Sequence, residues 1–343
     1  MCPSSRENST VAIICALAFE AEAVEAHFDE IYDRLGRHYG KNKGDRNCYL
    51  NGRIGKHEVV LCYMPEMGKG SAAMVASDLR HSYSNIEIAL LVGICGGVPK
   101  LPSGQPIFLG DAIIGDSILA YDFGKQYPDA FRRKPNSKEI LGGSSHELKT
   151  LLTGLSVGQA RRDFQHQMAE YRQRVQQAHS RWHRPESDDV LFDSQYPHKH
   201  HTRPVSTYCV CFSGDTSDQI CDDATRNDCA SLGCEEGQIR RRRQQMELSN
   251  AAVHIGKAAS ADRVMKSASH RDKLAEAEEV IAFEMEGAGV CDNFPCIIIK
   301  GVSDYADSHK DSKWQSYAAV NAAAAAAAKT LLKYLNPVAP KGR

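Results

Sequence analysis

Apolar residues in this chain gather into short unbroken runs separated by stretches of helical character. Thr10–Leu17 is apolar nearly throughout, without the in–out alternation of a half-buried strand, which suits a central strand covered on both faces. It leads directly into Ala18–Phe28, where alanine and glutamate favour helix. Cys48–Ile54 and His57–Tyr63 are β-rich runs about Gly55-Lys56, the pattern of a hairpin. Gly70–His81 reads as helix, and Ile86–Ile94 as a second buried strand running to Gly96-Gly97. A strand pair is expected within Asp111–Ala120, a buried strand over Cys296–Val302, and a long alanine-rich helix over Trp314–Leu335. Buried strands alternating with helices predict a single α/β domain.

The middle of the chain breaks this pattern. Residues 132–250 are polar, with helices expected only over Ser145–Leu155 and Ala160–His179, and we read them as an insertion on the core. The domain then spans 10–335, with tails at 1–9 and 336–343. A hydrophobic content of 42% supports a real core, while a net charge of −1 gives no general attraction to nucleic acid or anionic membrane. The short basic run Arg240–Arg243 reads as a solvated face. Alanines 322–328 are too few to span a bilayer. No secretory leader precedes the first strand, so a cytoplasmic protein with reduced thiols is expected. Many of the twelve cysteines lie inside apolar runs, where cysteine acts as a small hydrophobe. Cys209, Cys211, Cys221, Cys229 and Cys234 lie near the histidines of 198–201, but lack the repeated paired spacing of a zinc module; neither metal nor cofactor is expected.

Three acids stand where strands end and the backbone turns, the usual site location in α/β sheets. Glu20 falls in the first turn after the Thr10–Leu17 strand, where helix capping is the plain alternative. Glu286 follows Glu284 and Met285 in the apolar setting IAFEMEGAG, and Asp304 follows the strand run CIIIKGVS, where a cap is again the alternative.

Taken in order, IICALAFEAEAV, SAAMVASDLRHSYSNIEIALLVGICGGVP, GDAIIGDSILAYDFGK, FEMEGAG and NFPCIIIKGVSDYAD resemble the superfamily of nucleoside phosphorylases and methylthioadenosine/adenosylhomocysteine nucleosidases. More closely, they are similar to the fungal purine-nucleoside-phosphorylase-like domains found ahead of NACHT or ankyrin regions. The resemblance implies a central twisted mixed β-sheet flanked by helices. It also implies Glu20 as the base that activates water, Met285 and Glu286 as the sugar-binding pair, and Asp304 as the acid that protonates the purine at N7. Cys95, Gly96 and Gly97 match the glycine-rich turn beneath the sugar. For the base pocket two stretches compete, Ser213–Thr216 and Ser260–Asp272; context favours the second, with Val264 and Met265 against the adenine and Asp262 nearby.

A phosphorylase needs cations around its anionic nucleophile. The first loop here carries Glu20, and the next arginine after it is Arg34, which favours hydrolysis; the resemblance implies adenosine or an adenine nucleotide such as ATP as the substrate. Lys69 or Arg80 would have to enter the site for phosphorolysis. Lys41, Lys43, Arg46, Arg263, Lys266, Arg271, His309, Lys310 and Lys313 are candidates for a rim that takes nucleotide phosphates. The resemblance further implies a homo-oligomer in which a neighbour closes the 5′ side. A nucleotide-sensing domain without turnover is the competing class.

Overall fold

In the computed structural model, described over residues 3–35, 37–129, 131–134, 139–140, 146–202, 209–212, 219–243 and 251–327, the buried runs become the centre of one large sheet. The first half of the chain supplies β1 (Val11–Cys15), α1 (Ala18–Glu25), β2 (Glu30–Arg34), β3 (Tyr49–Ile54), β4 (His57–Tyr63), α2 (Lys69–Ser82), β5 (Ile88–Gly97) and β6 (Ala112–Ala120). The middle supplies β7 (Gly124–Gln126), β8 (Phe131–Arg133), β9 (Glu139–Ile140), α3 (His146–Ser156), α4 (Gly158–Ala178), β10 (Asp189–Phe192), α5 (Cys229–Leu232) and β11 (Ile239–Arg243). The remainder gives β12 (Val253–Ser260), α6 (Ala268–Glu278), β13 (Val280–Glu284), α7 (Gly287–Cys291), β14 (Cys296–Asp304) and α8 (Gln315–Ala327).

Strand order is β13-β12-β6-β14-β5-β1-β4-β3-β2, and β13 pairs back onto β5 through Ala282–Gly97 and Phe283–Gly96. Five strands thereby close into a ring, from which β1, β4, β3 and β2 extend as an open wing. Parallel pairs (β1 with β4 and β5, β14 with β5) mix with antiparallel ones (β14 with β6, β13 with β5). The closure matters for function because it carries the chain end of β13 to that of β5.

The hairpin forms where expected: Ile54 faces His57, and Gly55 takes φ +61°, a conformation that a side chain resists. The strand pair expected in 111–120 is instead one nine-residue strand. Gly115-Asp116 makes a bulge, not a turn: Gly256 faces Gly115 while Lys257 faces Ser117, so Asp116 is looped out of register. Residues 3–9 are not a free tail. Arg6 donates to the Ser82 carbonyl at 2.7 Å, and Ser9 is buried. The end of the long helix expected to Leu335, and the 336–343 tail, lie outside the described residues.

Helix α8 explains the alanine run. It packs on β14, β5 and β6 on one side and on α1 and α4 on the other, so it is buried all round and shows no amphipathic stripe. Phe164, Met168 and Val175 of α4 join the same apolar cluster as β1 and α8, so this part of the polar middle is integral to the core. Buried Arg172 of α4 donates to Asn321 Oδ1 at 3.1 Å, and Asn321 donates to the Gly110 carbonyl at 2.9 Å. Among the described residues no helix is long and apolar enough to cross a membrane.

Small residues set the spacing of α8 against the sheet. A Cβ at Gly301 would lie 1.9 Å from the Ala318 carbonyl oxygen, a backbone atom that cannot swing aside. Gly301→Ala is expected to cost about 3 kcal/mol or more, whereas Gly70→Ala, in open space within α2, should stabilise by about 0.5 kcal/mol. Urea denaturation midpoints of the two variants check both signs.

Candidate active site

Glu20 is the third residue of α1, and its carboxylate turns back to the strand it follows. Oε2 accepts from the backbone N–H of Ala16 at 3.1 Å and Leu17 at 2.9 Å, and Oε1 accepts from Ile94 N–H at 2.8 Å. Glu20 therefore caps its helix and reaches into the cavity at once, so the two readings of the sequence are not exclusive. Room for it comes from Gly93, where a Cβ would sit 2.3 Å from Glu20 Oε1. Burial raises the Glu20 pKa above the usual carboxylate value; Lys300 and the backbone donors pull the other way but do not outweigh it.

The turn after β13 positions two further acids differently. Glu284 Oε2 accepts from Glu286 N–H at 2.9 Å and Gly287 N–H at 2.8 Å, satisfying the first turn of α7. Glu286 thus leaves the strand face, and its Oε2 meets Lys300 Nζ at 3.0 Å. Both members of that pair are buried, Lys300 to 1% exposure. Burial alone would lower the Lys300 pKa, but Glu286, Glu20 and Glu284 together raise it above its ordinary value. One ammonium thus stands among three carboxylates, and burial pushes the Glu284 pKa up as it does that of Glu20.

Asp304 closes β14. Ser303 Oγ donates to its Oδ2 at 2.8 Å, Ala306 N–H donates to Oδ1 at 3.0 Å, and Lys310 Nζ lies 2.8 Å from Oδ2. A Cβ at Gly96 would come 2.9 Å from Asp304 Oδ1. Glu20 and Asp304 thus press on β5 at Gly93 and Gly96, a three-residue rise of about 10 Å of strand.

Glu20, Glu284, Glu286, Ser303 and Asp304 line one cavity of about 320 Å³ with Cys95, Gly96, Val264, Met265, Met285, Phe283 and Lys310, and Lys300 lies behind Glu286 without lining it. Two larger clefts, of about 500 and 560 Å³, lie beyond Asp304 and Lys310 against the Cys/His-rich middle segment. Of the residues expected at the site, Gly97 is not brought in: it faces Val302, 2.7 Å from where its Cβ would stand. Asp262 also turns away, its Oδ1 accepting from Lys69 N–H at 2.7 Å. Burial raises the pKa of the Cys95 thiol, which opposes a thiolate there. The alternative base-pocket stretch, Ser213–Thr216, lies outside the described residues.

Of the rim candidates, Arg263, Lys266 and Lys310 line the cavity. Arg271 does not belong to a rim: it is buried and donates to the Tyr305 carbonyl at 2.7 Å. Lys41 is spent on the Asn47 carbonyl and Arg46 on Asp78, away from the cavity. Lys69 pairs with Asp122 and Asp262, and Arg80 donates to the Asn293 carbonyl; neither lines the cavity. The basic run Arg240–Arg243 is not simply a solvated face. Arg241 donates to the carbonyls of Pro99 and Ile107 and to Tyr305 Oη, holding the residue after Asp304, while Arg240 and Arg242 pair with Asp193 and Asp188.

Lys300, Glu284 and Gly93 were missed in the sequence. The available signal was Lys300 itself, the one charge within the apolar run CIIIKGV, which a strand buried on both faces must neutralise.

Residues 10–163 match the phosphorylase superfamily. The chain is 32% identical over 344 residues to a nucleotide-binding leucine-rich repeat (NLR)-like protein of Hyaloscypha variabilis, covering 98% of this chain and 30% of that protein. It is 30% identical over 109 residues to a 5′-methylthioadenosine/S-adenosylhomocysteine nucleosidase of Thermotoga maritima, covering 31% of this chain and 46% of the nucleosidase. The chain thus spans less than half the length of either curated relative. Among solved structures, the 5′-methylthioadenosine/S-adenosylhomocysteine nucleosidase of Neisseria meningitidis, in complex with methylthio-immucillin-A, superposes with a TM-score of 0.54 at 18% identity, over 95% of this chain and 99% of that one. Futalosine hydrolase of Helicobacter pylori superposes at 0.53 and 13%, over 96% and 97%. Likeness at these identities establishes the fold.

The buried charges make stability depend on pH. A Glu20 pKa raised on folding means the folded state holds this proton more tightly than the unfolded chain, so its stabilising effect is complete at acidic pH. That effect drains away as pH climbs past the ordinary carboxylate value of 4.5 and through the folded one. Glu20→Gln should therefore gain thermal stability relative to the parent as pH rises from 4 to 8, read by differential scanning fluorimetry; a flat difference refutes the assignment. Lys300→Met, which strands the acids, should cost about 3–5 kcal/mol at neutral pH.

Proposed function

From the match of residues 10–163 to the phosphorylase superfamily, we propose that this chain is a purine nucleosidase, hydrolysing the N-glycosidic bond of adenosine or an adenine nucleotide to free adenine. The observation that carries the reading is the convergence of Glu20, Glu286 and Asp304 on one cavity, with Glu20 and Asp304 pressed against β5 three residues apart. A sugar losing its base becomes cation-like, and Glu20, Glu284 and Glu286 gather around the buried Lys300, placing carboxyl groups where that positive charge would develop.

In this reading Glu20 takes a proton from water, its burial-raised pKa making it a stronger base than a free carboxylate. Glu286, held by Lys300, accepts from the ribose hydroxyls. Asp304 delivers a proton to N7, with Ser303 and Lys310 orienting its carboxyl group. Val264, Met265 and Phe283 supply the apolar wall for the adenine. The exposed Met67 and Val264 border the mouth, where a second copy of the chain would cover them.

The same charge argument disfavours phosphorolysis. A phosphate nucleophile would meet the Glu20 carboxylate, and Lys69 and Arg80 are occupied elsewhere. Chromatography of adenosine, AMP and ATP incubated with the protein should give adenine at a rate indifferent to added phosphate. Glu20→Gln and Asp304→Asn should each lower that rate by about 10²–10⁴. Adenine release that requires phosphate overturns the hydrolytic reading, and no release from any of the three favours a sensing domain without turnover.

Cations at the mouth favour a charged 5′ substituent, which extends the reading to ATP. Arg263→Ala and Lys266→Ala should raise KM for ATP several-fold while leaving that for adenosine unchanged. Equal changes for both substrates remove the phosphate contact.

A further inference from the structure

Outside the cavity, the polar middle segment collects its cysteines and histidines into two compact groups, although their spacing along the chain led us to expect no metal. His198, Cys229, Cys234 and His309 form one group, and His200, Cys209, Cys211 and Cys221 the other; within each, the ligand-type atoms all lie within 4.8 Å of one another. We propose that these are two tetrahedral structural zinc sites, one Cys₂His₂ and one Cys₃His, and that the first anchors the loop bearing Lys310 beside Asp304.

Distances are the first support. Tetrahedral zinc with Zn–S of 2.3 Å and Zn–N of 2.0–2.1 Å places neighbouring sulfur and nitrogen ligands about 3.5 Å apart and two sulfurs about 3.8 Å apart. In the first group Cys229 Sγ lies 3.5 Å from Nδ1 of both His198 and His309, and Cys234 Sγ lies 3.6 Å from His198 Nδ1. In the second, Cys209, Cys211 and Cys221 stand 3.4, 3.9 and 3.4 Å from His200 Nδ1, and Cys209 and Cys221 are 3.7 Å apart, far beyond disulfide length. Thiol hydrogen bonding does not account for this, since three sulfurs converge on a nitrogen with a single lone pair.

The rings are also oriented for metal. His198 Nε2 lies 2.9 Å from the Asn227 carbonyl and His309 Nε2 2.9 Å from the Tyr196 carbonyl. A carbonyl only accepts, so each Nε2 carries the hydrogen and each Nδ1 presents its lone pair to the sulfurs. His200 Nε2 faces Asp223 Oδ2 at 3.3 Å, the carboxylate–histidine–metal arrangement. The local core is the third support: among the described residues its buried apolar cluster is Cys211, Ala224 and Leu232, with only partly buried neighbours around it. So small a cluster does not hold a loop-rich segment without a cross-link.

His309 makes the first site consequential. It belongs to the segment after β14, its ring stacks on Phe192 at 3.9 Å, and the next residue, Lys310, pairs with Asp304. The spacing concealed the set because His198 and His200 go to different groups, and His309 comes from beyond β14.

The test uses the full chain, tag removed and purified without chelator. Elemental analysis should give two zinc per chain, falling to one in Cys229→Ser and in Cys211→Ser. Because a variant can fail to fold, X-ray absorption at the zinc edge of the parent protein supplies a second readout, with mixed sulfur and nitrogen shells near 2.3 and 2.0 Å expected. Folded parent protein lacking zinc overturns the proposal, whether intact mass shows free thiols or disulfides; so does zinc retained in full by both variants. Metal content does not depend on turnover, so this outcome is separable from that of the nucleosidase reading.

Discussion

A single ammonium group buried between strands is what the site depends on. Lys300 lies at the centre of β14, out of contact with water, and an isolated charge there would be prohibitively costly. Glu286 answers it directly at 3.0 Å, and Glu20 and Glu284 add their fields from α1 and the end of β13. Those elements come from opposite ends of the chain. The ring closure from β13 to β5 brings them within reach, so sheet topology and charge neutralisation specify the same arrangement. Three carboxyl groups stand around one buried ammonium, a balance that suits an incipient sugar cation under the proposed hydrolysis.

Much of this was legible in the sequence. Buried strands declared themselves as unbroken apolar runs, and the hairpin through Gly55, where turn geometry leaves little choice. Glu20, Glu286 and Asp304 stood out as acids at strand ends. Less legible were features whose cause is long-range. Gly115-Asp116 has turn composition, yet parallel pairing with β12 keeps the strand continuous and absorbs the extra residue as a bulge. Gly97 belonged to a glycine-rich turn by motif, but Val302 packs where its Cβ would stand, and of the three residues only Cys95 and Gly96 line the cavity. Lys300 is visible in the sequence, but hydropathy does not show which distant acids neutralise a charge in a strand buried on both faces.

The polar middle segment mixes two kinds of structure that composition could not separate. Its helices α3 and α4 join the main apolar cluster and lean on α8, while the stretch after them is short on apolar residues and rich in sulfur and imidazole. Strand β11 connects the two regimes. Arg241 and Arg243 turn inward to carbonyls, aromatic faces and the Tyr305 hydroxyl, while Arg240 and Arg242 stay outside on Asp193 and Asp188, so half of a run of like charge becomes struts behind the acid at the end of β14.

Helix α8 has a consequence for how firmly β14 is seated. Alanine has no rotatable side-chain torsion, and Gly301 opposite lets main chain meet main chain. Where the alanines meet Gly301 there are no rotamers through which to give, so β14 resists sliding or tilting against the helix. The ammonium and the terminal carboxylate it carries are thereby held in register like teeth on a rigid bar, and any adaptation to different ligands falls to the loops at the cavity mouth.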